Sequence, residues 1–294
     1  MKKAYIQLHL SILIAGFTGI LGKLIMLNEG LLVWYRMLIT AVLFFVFLCA
    51  IGKFRTIPFR EMLRIGGVGL LLALHWVFFY GSIKASNVSI GVICFSLTGF
   101  FTAIFEPVIN RHRISVRELF LSLIAAAGIL LIFQLDVRYR IGIGLGIISS
   151  ALAALFIITN KKIGTKHSSS IMLLYEMIGG FAAISCLLPL YLYYFPTQYI
   201  VPDISDIIYL LLLSVVCTIG LYLLQIEALR KISAFTVNLS YNLEPIYSIL
   251  LAIIIFDESK ELTWAFYTGL ALIILSVLLQ SVSARREHKK KLQT

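Results

Sequence analysis

Charge is what this sequence has least of. Only 13% of its 294 residues are Asp, Glu, Lys or Arg, against 60% hydrophobic residues and a mean hydropathy of +0.98. A soluble domain has no use for that much apolar surface, so the composition indicates a polytopic membrane protein. Cysteine is scarce as well. Cys49, Cys94, Cys186 and Cys217 all lie inside apolar runs, without metal-ligand spacing or an extramembrane pair for a disulfide, and read as small core hydrophobes. There is no phosphate-binding loop, so ATP hydrolysis by the chain is not expected. No His/Cys/Asp grouping has the spacing of a nucleophile–base set or metal cluster, which weighs against an intramembrane lipid-modifying enzyme. No cofactor or metal is expected. The net charge of +11 does not indicate nucleic acid, because the basic residues fall in short clusters between apolar runs, where topology signals lie.

What is present is a succession of apolar segments. Ten spans are predicted, at about 4–25, 31–51, 64–83, 88–108, 117–134, 141–160, 169–191, 206–227, 234–256 and 263–283, each about the length a helix needs to cross a bilayer. The opening Met-Lys-Lys and apolar run resemble a signal peptide but lack a small-residue cleavage site, so they are read as the first span. When segments are assigned to alternate sides, 19 of the 25 Lys and Arg fall on one side and four on the other. The positive-inside rule then puts both termini in the cytoplasm, at the cell (inner) membrane. The basic tail 284–294 is expected to be a frayed cytoplasmic end near anionic lipid.

The ten spans divide into five and five. Residues 32–37 (LVWYRM) align with 172–177 (MLLYEM), 95–100 (FSLTGF) with 241–246 (YNLEPI), and 125–131 (AAAGILL) with 273–279 (IILSVLL), at offsets of 140, 146 and 148. The match of Glu106-Pro107 to Glu244-Pro245, at 138, is treated as coincidence. An odd number of spans per half inserts the second half upside down. The expected fold is therefore an all-α membrane protein of ten transmembrane helices in two inverted five-helix repeats, 1–136 and 137–283, followed by the tail. Inverted repeats alternate access around a midplane site in many secondary transporters.

With that plan, Arg36, Leu243-Glu244-Pro245, and Glu258 followed by Leu262-Thr263, the chain resembles the drug/metabolite transporter superfamily in its EamA-like branch. Gly99 departs from the pattern where a proline is often found, and the first repeat has no acid matching Glu258. The resemblance implies a secondary carrier, often an exporter of amino acids, metabolites or toxic compounds. The partners expected are a small-molecule substrate, protons and the bilayer, for a monomer or homodimer. An uncoupled facilitator or importer is the alternative.

Candidate site residues follow from polarity at bilayer depth. A carboxylate there costs roughly 2.5–3.5 kcal/mol even on lenient insertion scales, so Glu244 is expected near the middle of the ninth span, facing protein or water. Ser240, Glu244, Ser248, Tyr241, Asn238 and Asn242 cover an arc of about 200° on that helix. Pro245 weakens the helix there and is a gating candidate. His75 lies at the middle of the third span and is a candidate to bind substrate, hold a proton or pair with Glu244; a structural hydrogen bond is the alternative. Trp76 and Tyr80 can stack on a planar ligand or simply pack. Ser214, Thr218, Tyr222 and Gln225 form one expected stripe. Lys23 and Arg36 are expected to snorkel to the outer side. Glu176, aligned with Arg36 across the repeats, is a second gating candidate.

Overall fold

The computed structural model describes residues 2–111, 113–164, 167–229, 240–241 and 243–291. In chain order the helices are α1 (Lys2–Leu24), α2 (Glu29–Ala50), α3 (Phe59–Ala85), α4 (Val88–Phe95), α5 (Thr98–Asn110), α6 (Val116–Leu135), α7 (Arg140–Gly164), α8 (Ser169–Tyr194), α9 (Ile204–Leu211), α10 (Leu221–Leu229), α11 (Glu244–Phe256) and α12 (Trp264–Lys291); a π-helix, Leu212–Gly220, joins α9 to α10. Several starts are set by short polar side chains that accept a main-chain N–H of the first turn. Asn28 takes Leu31 N, Asn87 takes Ile90 N, Ser168 takes Ile171 N and Asp203 takes Asp206 N. Among the described residues, seven helices are long and apolar enough to cross a membrane, with three shorter apolar helices besides.

The segments are less continuous than their hydropathy suggests. The expected span 88–108 breaks at Ser96–Leu97 into α4 and α5. The expected span 206–227 contains the π-helix. Leu243 is a turn residue, so α11 begins at Glu244 instead of carrying it at the middle of one helix. Pro245 sits in the first turn of α11, where its missing N–H costs no helical bond. The basic tail also differs from expectation, since α12 stays helical through Lys291.

The α4–α5 and α11 breaks correspond. α5 and α11 are both 13 residues long, and their first residues, Thr98 and Glu244, are 146 positions apart. Each ends on a left-handed residue, Arg111 at φ 56° and Asp257 at φ 57°, again 146 apart. Among the described residues these are the two non-glycine positions with positive φ, a conformation that strains an L side chain. Packing is likewise preserved when the repeats are exchanged: α3 lies on α7 while the α9–α10 segment lies on α1, and α4 lies on α7 while α11 lies on α1.

In lipid the hydrophobic effect does not hold helices together; close packing and interhelical hydrogen bonds do. Among the described residues, α3 and α8 cross with their main chains in close approach. Gly66 meets Gly179, and a Cβ on Gly69 would run into the main-chain carbonyl of Glu176. Backbone cannot move aside as a flexible side chain can. Gly69→Val is therefore expected to destabilise the protein by about 1–3 kcal/mol, the usual range for overpacking. Thermal unfolding in detergent measures this.

Glu258 shows how the loops are tied down. It is 2% exposed, and its carboxylate accepts Val88 N (2.9 Å), Ser89 N (2.9 Å) and Ser89 Oγ (2.6 Å) at the start of α4. Glu258→Ala leaves three buried donors unpaired. A loss of about 3 kcal/mol or more is expected, at about 1.5–3 kcal/mol per hydrogen bond to a charged group. It should appear as a lower unfolding temperature and faster amide exchange at Val88 and Ser89. Nearby, Arg138 donates to both Asp136 oxygens (3.0 Å each) and to Glu261 O (3.1 Å). The Arg138 hydrogen bonds hold the Asp136 carboxyl below its usual range, so this tie is present at neutral pH and is lost as pH falls through the lowered value.

Candidate functional site

The site is built around Arg36. On α2 the buried residues Leu32, Arg36 and Thr40 recur every four positions, with Val33, Met37 and Ala41 beside them. That stripe faces protein, so the guanidinium points into the bundle and is 2% exposed. The expectation that Arg36 snorkels is corrected: it lies seven residues inside α2, about 10 Å at 1.5 Å per residue, and on the buried face. Nη1 donates to Tyr80 Oη (2.6 Å), and Nη2 and Nε donate to Thr218 Oγ1 (3.0 and 3.3 Å). Its Cζ lies 3.6 Å from the centroid of the Trp76 ring, a desolvated cation–π contact.

Thr218 can accept because its own hydroxyl donates to Leu213 O, five residues back (2.9 Å). That is the π-helical spacing. The π-helix also splits the expected stripe. Ser214 and Thr218 face Arg36, Ser214 Oγ donating to Arg36 O (3.3 Å). Tyr222 turns away and packs edge-on against Phe44 at 6.1 Å. Leu221, not Tyr222 or Gln225, lines the cavity beside Arg36. Tyr222 and Gln225, expected on the same stripe, follow the π-helix and do not line this cavity.

The cavity is about 210 Å³, room for about seven waters at roughly 30 Å³ each. α1 contributes Ala15 and Thr18, α3 His75, Trp76 and Phe79, α4 Phe95, and the second half Cys217, Tyr241 and Glu244. His75 Nδ1 lies 3.0 Å from Ser149 O and 2.8 Å from Ser149 Oγ. The carbonyl can only accept, which assigns the proton to Nδ1 and leaves Nε2 as an acceptor. His75 and Glu244 line one cavity but do not pair, since the ring is held by α7. Tyr80 lines none of it; its ring is packed against Gly22 and its hydroxyl is taken by Arg36. Tyr241 Oη donates to Ser11 Oγ (3.0 Å). Glu176 is elsewhere, 3% exposed at the α3–α8 crossing and accepting Asn160 Nδ2 (2.8 Å). Asn238 and Asn242 lie outside the described residues.

A basic and an acidic side chain therefore line one cavity without meeting. Among the described residues, no carboxylate is within 4.0 Å of the Arg36 guanidinium, and the Glu244 carboxylate accepts no hydrogen bond. Of the five N–H donors of Arg36, three are used by Tyr80 and Thr218, leaving two for a ligand. A second hollow of about 430 Å³ is shallower and apolar, lined by Tyr5, Ile6, Leu10 and neighbours of α1 with Tyr247; it carries no pair of charges.

The chain belongs to the EamA-like transporter family, whose model matches it twice, over residues 2–134 and 140–282. It is a multi-pass membrane protein, all-helical in its described residues, with two EamA repeats, and a membrane transporter of the drug/metabolite type. No curated protein matches it. A solved crystal structure of a protein shares the fold, with 17% identity over 97% of this chain and 99% of that one and a TM-score of 0.62.

Proposed function

We propose that this protein is a secondary transporter that exports a small metabolite, such as an amino acid or a related compound, across the inner membrane by alternating access. The observation that carries this reading is the unpaired Arg36 and Glu244 in one cavity of about 210 Å³. Arg36 is buried and Glu244 half-buried, and a charge drawn out of water without a partner is costly. A solute with an anionic group for the two free Arg36 donors and a cationic or donor group for Glu244 would satisfy both. Trp76, Phe79 and Phe95 would cover its apolar part, and His75 Nε2 would accept a hydrogen bond from it or take up a proton.

Ten spans in two inverted repeats, divided near 136/137, with both termini cytoplasmic, complete the reading. The matched breaks at Thr98 and Glu244 and the exchangeable packing support it, as does the sided distribution of Lys and Arg. Discontinuous helices at bilayer depth are tolerated where they line a cavity.

Two measurements test this. An untargeted metabolite comparison with and without expression should show one solute class depleted in expressing cells, and flux of that solute should be reproduced in proteoliposomes. If Glu244→Gln and His75→Ala both leave rate and pH dependence unchanged, the site assignment is wrong. Flux that ignores an imposed pH jump identifies an uncoupled facilitator.

A further inference from the structure

Beside the Arg36 cavity, toward the link between α1 and α2, described residues form one packed cluster. Ile20, Ile25, Leu27, Leu31, Tyr80 and Leu210 are each no more than 2% exposed. Above this plug runs the link from α1 to α2, Ile25–Asn28. Its main-chain groups are outside a helix and need partners once buried.

Those partners are two charged side chains from elsewhere in the fold. Asp206, 1% exposed on α9, accepts Met26 N (2.9 Å) on one carboxylate oxygen and Leu27 N (3.2 Å) on the other. Lys84, in the last turn of α3, donates to Ile25 O (2.9 Å) and to Leu27 O. An anion holds the amides of Met26 and Leu27, and a cation holds the carbonyls of Ile25 and Leu27. Charge-assisted hydrogen bonds are roughly twice as strong as neutral ones. Because the grip is on main chain, it holds whatever side chains the link carries. It also joins the two halves, since Asp206 belongs to the repeat matched over 140–282 and the link to the one matched over 2–134.

We propose that Asp206 and Lys84 form the clasp of the outer gate, and that it releases the 25–28 link each time the cavity opens outward. The inference rests on the transport reading and on the membrane orientation given above. Glu258 grips Val88 N and Ser89 N within one helix start and is a cap. Asp206 instead grips a link whose movement would uncover the plug. The gating candidate Glu176 lies at the α3–α8 crossing and takes no part in this contact.

Cys217 reports on the clasp because it lines the cavity and is 5% exposed. The probe is a small, membrane-impermeant thiosulfonate, whose reaction requires water and a thiolate at the sulfur. The full-length chain is used with Cys49, Cys94 and Cys186 replaced by Ala, in right-side-out and inside-out vesicles. In Asp206→Asn one oxygen becomes an amide that cannot accept, and in Lys84→Met the donors are lost. Each should raise the outside labelling rate of Cys217 at least tenfold, and Asp206→Glu should restore the slow rate. Size exclusion and thermal unfolding confirm that the compared proteins are folded. Unchanged labelling from both sides in folded Asp206→Asn and Lys84→Met overturns the clasp. A rise confined to the inside supports the clasp and overturns the orientation. A raised labelling rate without flux of any solute supports the clasp and overturns the transport reading.

Discussion

Arg36→Met is expected to abolish transport while leaving the fold intact. Its guanidinium lines the cavity and has two donors that Tyr80 and Thr218 do not use; charge-assisted hydrogen bonds are each worth about 1.5–3 kcal/mol, with every 1.4 kcal/mol a factor of ten in affinity. Loss of both should weaken binding of an anionic solute by at least ~100-fold. Stability moves differently. Removing a buried cation that has no carboxylate partner relieves a desolvation cost, while Tyr80 Oη and Thr218 Oγ1 each lose a hydrogen bond. These effects oppose each other, so the unfolding temperature should stay within a few degrees of the parent. Arg36→Lys keeps the charge but not the planar fork and should weaken apparent affinity by about tenfold or more. Flux in proteoliposomes together with thermal unfolding checks both variants. Normal flux in Arg36→Met would remove Arg36 from the site.

Glu244→Gln is expected to uncouple transport from the proton gradient and to leave exchange intact. Glutamine keeps the size of the side chain and does not disturb Pro245 in the first turn of α11, so the helix start survives. It removes the group that can release and regain a proton. A pH gradient of one unit is worth about 1.36 kcal/mol per proton, a tenfold accumulation ratio for one-to-one coupling. The parent should approach that ratio in proteoliposomes and the variant should fall to unity, with solute counterflow retained. His75→Ala should instead change apparent affinity and keep the response to the gradient, because the ring is anchored to Ser149 and pairs with no acid. Accumulation by Glu244→Gln equal to the parent's would assign coupling elsewhere.

Much of the plan was legible in the residues. Long apolar runs and the grouping of Lys and Arg reveal a multi-pass protein, and three short alignments reveal the repeat. The 146-residue offset from the second of these also matches the helix starts at Thr98 and Glu244 and the left-handed ends at Arg111 and Asp257. Polarity or aromatic bulk at bilayer depth stands out against Leu and Ile at Glu244, His75 and Trp76, and these three line one cavity. Arg36 is the exception, expected at the outer end and found buried inside the bundle. α2 is apolar nearly all round, so no amphipathic pattern marks which side faces protein. A polar Thr40 four residues on was the one available signal.

Hydropathy is a sum over about twenty residues and hardly changes when a helix is broken, rewound or rotated. Composition and charge order therefore suffice for membrane insertion and for the repeated plan, which depend on such sums. The turn at Ser96–Leu97, the start of α11 at Glu244 and the π-helix at Leu212–Gly220 leave that sum almost unchanged, so it does not reveal them. The same holds for the ends of the cavity. Asp206 lies 180 residues from Met26, and Thr218 lies 182 from Arg36. No local pattern links such pairs; packing the two repeats against each other does, and with it the burial of Arg36 beside Trp76 and opposite an unpaired Glu244.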